Sequence, residues 1–235
     1  MDEPTTSTPT NAILSLSPDE RELVREVLSE EYRLLASALS VVWSASLVRT
    51  SILLGVLSAG VVALGLVAQS ESFKVFALVI LPLALFLGFG TFERVVEIQR
   101  EAIIYIIGMN RIRFFFQTAV PASRPYFILP AHDDDLSLYR SQGTGMHRRP
   151  PRYPIVIALV QMQGVVGVVC AVLAAAIAGL VSESAGPAVA WSVAAATFAV
   201  TLMALLVHWR RSFDSIRKAI RPINPTQPDD IEAPF

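Results

Sequence analysis

The residues best equipped for chemistry stand together in His132-Asp133-Asp134-Asp135, with His147 a short distance on. An imidazole beside three carboxylates can ligate a divalent cation or pass a proton, and at a membrane surface such a run could serve an enzyme. Either task needs donors that converge on one point and are held by rigid elements. Pro121, Pro125, Pro130, Pro150 and Pro151 surround the run and interrupt helices. The expectation is therefore a solvated acidic turn, with no catalytic, cofactor or metal residue assigned. Ser141-Gln142-Gly143-Thr144-Gly145 is glycine-rich but lacks the lysine and the strand-to-helix setting of a phosphate loop, so it is expected to be a flexible turn. No G-x-S-x-G, H-E-x-x-H or C-x-x-C pattern occurs, and the single cysteine, Cys170, excludes an intrachain disulfide.

The elements that must position these residues are set by lipid. Of 235 residues 53% are hydrophobic and 17% charged, against about 25% charged in ordinary soluble domains. A net charge of −1 with scattered basic residues gives no nucleic-acid footprint. A helix crossing ~30 Å of hydrocarbon needs ~20 apolar residues. Residues 51–69, 75–92, 155–181 and 187–207 meet that length without an Asp, Glu, Lys, Arg or His. The expected fold is an all-α membrane protein with four transmembrane helices. The acidic, polar start Met1-Asp2-Glu3-Pro4 argues against a cleaved signal peptide.

Orientation follows from the basic residues, which concentrate on the cytoplasmic side of a membrane. Of 19 Lys and Arg, all but Lys74 lie before the first span, between the second and third, or after the fourth. Both termini and the central loop are therefore expected in the cytoplasm of a plasma or bacterial inner membrane, leaving only two short turns outside. Residues 1–16 read as a disordered tail. Ser17-Pro18-Asp19-Glu20 is a capping box with proline at the first helical position. It opens an amphipathic cytoplasmic or interfacial helix over 17–50.

Residues 93–117 lack a helix breaker and extend the second span into the cytoplasm, where an isoleucine-rich helix needs a partner. The nearest is 17–50. In an antiparallel hairpin turning at Glu71, residues equidistant from the turn face each other, which sets Arg49 against Glu93 or Glu97 and Glu31 against Arg111. Residues 118–154 form a proline-rich cytoplasmic loop, 208–221 a basic juxtamembrane helix, and 222–235 a second disordered tail. Arg148, Arg149, Arg152, Arg210, Arg211, Arg217 and Lys218 are expected to contact the headgroups of anionic lipids.

Within the spans, Asp, Glu, Lys, Arg and His are absent at mid-depth, where pumps and coupled transporters need them. Gln161 and Gln163 are expected to bond between helices. Small residues recur every fourth position at Gly167, Ala171, Ala175 and Gly179 and at Ala188, Ser192 and Ala196, and again at Ser51, Gly55 and Ala59. Such stripes let backbones approach, either within the chain or between copies. The expected function is a non-catalytic scaffold, regulatory or assembly subunit that forms homo-oligomers or joins a membrane or cytoplasmic partner. The alternative is a pore-forming or membrane-perturbing effector gated from the cytoplasm.

Overall fold

The computed structural model describes residues 17–141 and 161–220, with 222, 223 and 225. Helices α1 (Pro18–Leu66), α2 (Phe73–Ala119), α3 (Asp135–Ser141), α4 (Met162–Ser182) and α5 (Pro187–Ala219) account for nearly all of them, with short 3-10 turns at Pro121–Tyr126 and Glu183–Ala185. No strand occurs among the described residues. The tail at 1–16, residues 142–160 and most of 224–235 lie outside the described residues.

Four helices, α1, α2, α4 and α5, are long and apolar enough to cross a membrane. Their outward faces carry Val61, Leu66, Phe86, Trp191 and Val200, all largely exposed. An apolar surface of that extent is stable only against lipid or another protein, which supports a multi-pass membrane protein. The 49 residues of α1 would measure about 74 Å at ~1.5 Å per residue, more than twice the hydrocarbon thickness of ~30 Å. One helix thus carries both the capping-box segment and the first apolar run, with no break near Ser51. Likewise α2 runs 47 residues without interruption, Pro82 included, and α5 carries the fourth apolar run and the basic segment together.

Helix ends follow local chemistry. Ser17 and Glu20 close the capping box reciprocally: the Ser17 N–H donates to Glu20 Oε2 at 2.8 Å and the Glu20 N–H to Ser17 Oγ at 3.3 Å. The Ser17 backbone N–H, and after it the Ser17 side chain, hold the Glu20 carboxyl below its usual range. Gly186, at φ 103°, turns the chain into α5 in a backbone region that only glycine enters freely, and Pro187 starts the helix. Gln161 is extended (φ −65°, ψ 157°), so the described part of α4 begins at Met162; the expected start of that span, at 155, lies outside the described residues.

The chain divides into two compact units. One comprises the described parts of Met1–Val42, Glu101–Arg152 and Arg221–Phe235, the other Trp43–Arg100 and those of Tyr153–Ile220. The second unit is a four-helix bundle whose core is Leu53 of α1, Phe92 and Val96 of α2, and Val166 and Cys170 of α4, with Leu205 and Trp209 of α5 packed against them. A Cβ on Gly88 would stand 2.8 Å from Cys170 Sγ, so α2 and α4 meet there at a distance only glycine permits. Gly179 is looser: a Cβ there would meet Ala194 Cβ at 3.5 Å and the Ala190 carbonyl oxygen at 3.9 Å, ordinary van der Waals contact. At the turns, Lys74 Nζ donates to Glu183 Oε2 at 3.1 Å, tying the start of α2 to the turn before α5.

Candidate functional site

The first unit is organised around polar side chains set in an isoleucine-rich helix face. Ile103, Ile106, Met109 and Ile112 of α2, each three residues from the next, are buried. Beside them on the same helix are Asn110 and Arg113, 0% and 4% exposed. Polar groups this deep must be hydrogen-bonded or they cost stability, and both are. Asn110 Nδ2 donates to the His132 carbonyl at 2.9 Å, while its Oδ1 accepts from Arg113 Nη1 at 2.6 Å and from Ser141 Oγ at 3.3 Å. Arg113 also donates to the Pro130 carbonyl at 3.5 Å and to the Tyr32 hydroxyl at 2.8 Å, its guanidinium carbon 5.4 Å from the centre of the Tyr32 ring. A guanidinium over an aromatic face gains a further cation–π attraction.

The acidic run completes this cluster, and here the expectation of a solvated turn is corrected. Asp133 is 3% exposed. Its Oδ2 accepts from Arg111 Nε at 2.8 Å and from the backbone N–H of Ile223, also at 2.8 Å. Asp134 caps α3: its Oδ1 accepts the Ser137 N–H at 3.0 Å, three residues on. Asp135 opens the same helix, where its charge favours the helix dipole. Consecutive carboxylates thus do separate structural work, and Asp133 meets Arg111 of α2 instead of standing in water. Among the described residues no group of three His, Cys, Asp or Glu side chains could hold a metal ion. His147 and the glycine-rich 142–145 lie outside those residues.

Chemically, the arrangement is a clamp. It gathers the end of α2, the segment 130–134 and the backbone at Ile223 onto one ion pair and one amide. Tyr32, Asn110, Arg113 and Ile223 were not singled out by sequence reasoning; the available signal was the pair of polar residues interrupting the isoleucine period at 110 and 113.

Neither protein-family models, nor curated proteins, nor solved structures gave a match to the chain.

The other expected residues are distributed as follows. Arg111 holds Asp133, Glu93 holds His208 at 3.1 Å, and Glu97 holds Arg94 at 2.9 Å within its own helix. Among the described residues, none of them is ion-paired to Arg49 or Glu31. Of the α4 stripe, Ala171 is fully buried, and Gly167 and Gly179 face Phe92 and Ala194, with Ala175 half-buried. Ala188, Ser192 and Ala196 of α5 are exposed; the residues of α5 that meet Gly179 are Ala190 and Ala194. Ser51, Gly55 and Ala59 of α1 are exposed as well. Arg210, Arg211 and Lys218 are exposed, whereas Arg148, Arg149, Arg152 and the Arg217 side chain lie outside the described residues.

The bond expected between helices at Gln163 is instead local. Gln163 Nε2 donates to Gln161 Oε1 at 2.6 Å. The Gln163 side chain is buried, and the Gln161 carbonyl oxygen two residues back is the acceptor within its reach.

Proposed function

We propose that this chain is a multi-pass membrane scaffold or assembly subunit, with both termini and the 118–154 loop in the cytoplasm of a cell membrane. The observation that carries this reading is the use of the acidic run. Asp133 and Asp134 are each engaged in holding a fold together, and Arg111 and Arg113 are engaged with them or with Asn110, Tyr32 and Pro130. Between α2 and the acidic run, Val120, Tyr126 and Ile128 are exposed, apolar side chains of the kind that receive a protein partner. The outward small-residue stripes of α1 and α5 support self-association, since TM helices associate through close packing.

The hairpin belongs to the same proposal. Gly108 lies against Leu35 Cδ1 and Arg113 bonds Tyr32, and residues in both pairs stand nearly equidistant from Glu71, as antiparallel neighbours do. The concentration of basic residues outside the spans supports the orientation, and the exposed Arg210, Arg211 and Lys218 support contact with anionic lipid. Size-exclusion chromatography with light scattering on protein in nanodiscs tests the assembly reading. A defined oligomer, reduced to monomer by Ala188→Leu with Ser192→Leu, is the expected result. A monomer in the unmodified protein, or ion flux from liposomes blocked by no stripe substitution, would transfer support to the pore reading.

A further inference from the structure

The bundle contains a small cavity that its own side chains leave chemically incomplete. Its floor is formed by Phe92, Gln163, Gly164 and Gly167, all buried, and its rim by Leu202, Leu205, Leu206 and Trp209, all half-exposed. The cavity therefore opens on the outer surface of the bundle, between α4 and α5. Two polar atoms among these residues have no hydrogen-bond partner, the Gln163 carbonyl oxygen Oε1 and the Trp209 indole Nε1. Gln163 is 2% exposed, and its amide nitrogen is already committed to Gln161, so the oxygen can be satisfied only from outside the side chain. One orphan is an acceptor and the other a donor. Leaving both unmet in an apolar setting costs more than a filled site would.

We propose that this cavity binds the free hydroxyl of an uncharged membrane lipid, a diacylglycerol-type alcohol. A hydroxyl is the smallest group that donates one hydrogen bond and accepts another: its proton goes to Gln163 Oε1 and its oxygen receives Trp209 Nε1–H. The enclosed space takes one water-sized group, which fits a hydroxyl and excludes a phosphate or a sugar. None of the lining residues is charged, so a charged headgroup would be desolvated without compensation. The half-exposed leucines of the rim offer the rest of such a lipid an apolar bed facing outward. The proposal needs the helices to lie in a membrane but is independent of the scaffold reading.

The test uses the full chain in lauryldimethylamine-oxide micelles, a detergent without hydroxyls, titrated with 1,2-dioctanoylglycerol or with its 3-O-methyl ether. Both probes partition into micelles, but only the first can donate to Gln163. Saturable thermal stabilisation by the alcohol, on the order of tenfold weaker with the ether, is expected, because ligand binding to the folded state raises Tm. Gln163→Leu and Trp209→Phe should each weaken the alcohol by a similar factor, and Val165→Leu, on the exposed face of α4, should not. If Gln163→Leu fails to fold, Trp209→Phe carries the same comparison. Equal stabilisation by alcohol and ether, unchanged binding in both variants, or no saturable effect of either probe would overturn the proposal, the last pointing to a bound water as the occupant.

Discussion

The two units solve the same problem with opposite materials. In the first, Asn110, Arg113 and Asp133 lie deep among isoleucines and are joined to Tyr32, His132, Ser141 and Ile223. In the second, Leu53, Phe92, Val96, Val166 and Cys170 meet with almost no polar participation, and the buried Gln163 Oε1 and Trp209 Nε1 are without partners. The difference teaches where geometric specificity resides. A buried hydrogen-bonded network tolerates one arrangement, because any other leaves a desolvated group unpaired. An apolar bundle in lipid gains nothing from burial as such, so close approach, as at Gly88, must select its packing.

That contrast can be broken most severely at Asp133. Asp133→Ala would leave Arg111 and the Ile223 N–H without their shared acceptor. Losing one partner of a buried pair costs ~3–5 kcal/mol; Arg111 keeps 34% of its side chain in solvent, which brings the expected loss to about 2–3 kcal/mol. Thermal unfolding of the purified protein measures it, and limited proteolysis should cut the chain near residue 223 earlier in the variant. A Tm within error of the unmodified protein would remove the clamp.

A smaller effect is expected in the bundle. Gly88→Val forces its new side chain into Cys170 Sγ and should cost ~1–3 kcal/mol as an overpacked core position does. Adding Cys170→Ala should recover part of that. Gly90→Val, on the same helix at a position with nothing within 4 Å, is the control and should be near neutral. If both glycines tolerate valine equally, close packing does not organise the bundle.

The smallest effect sharpens the comparison at its solvent-exposed extreme, the capping box. The Glu20 carboxyl is held below its usual value by Ser17. Its contribution is therefore fully present above the unfolded-state pKa and is lost as pH falls through the lowered folded value. Amide exchange of the first turn of α1 should accelerate on acidification in the unmodified protein. Glu20→Gln should remove most of that pH dependence.

Much of the bundle was legible because lipid imposes long apolar runs: the four helices, the capping box at Ser17 and the extension of α2 through Gln117 all follow from length, breakers and caps. The clamp was not, since it joins α2 to residues twenty or more positions away, and a run such as His132 to Asp135 looks the same whether a distant arginine meets it or water does. Small-residue spacing marked where helices could approach but not which neighbour each would meet, so Gly179 was legible as a contact and Ala190 and Ala194 were not. Gln163 misled because periodicity carries no information about a competing acceptor two residues away.

The proposal that the apolar bundle lies in the membrane and the polar unit in the cytoplasm is tested most directly by thiol accessibility in intact cells. In a Cys170→Ala background, single cysteines at Ser72 and Ser184 should react with a membrane-impermeant maleimide added outside, whereas one at Ser123 should react only after permeabilisation. Labelling of the Ser123 variant from outside, with Ser72 and Ser184 protected, would invert the topology and place the Asp133 clamp on the wrong side of the membrane for a cytoplasmic scaffold.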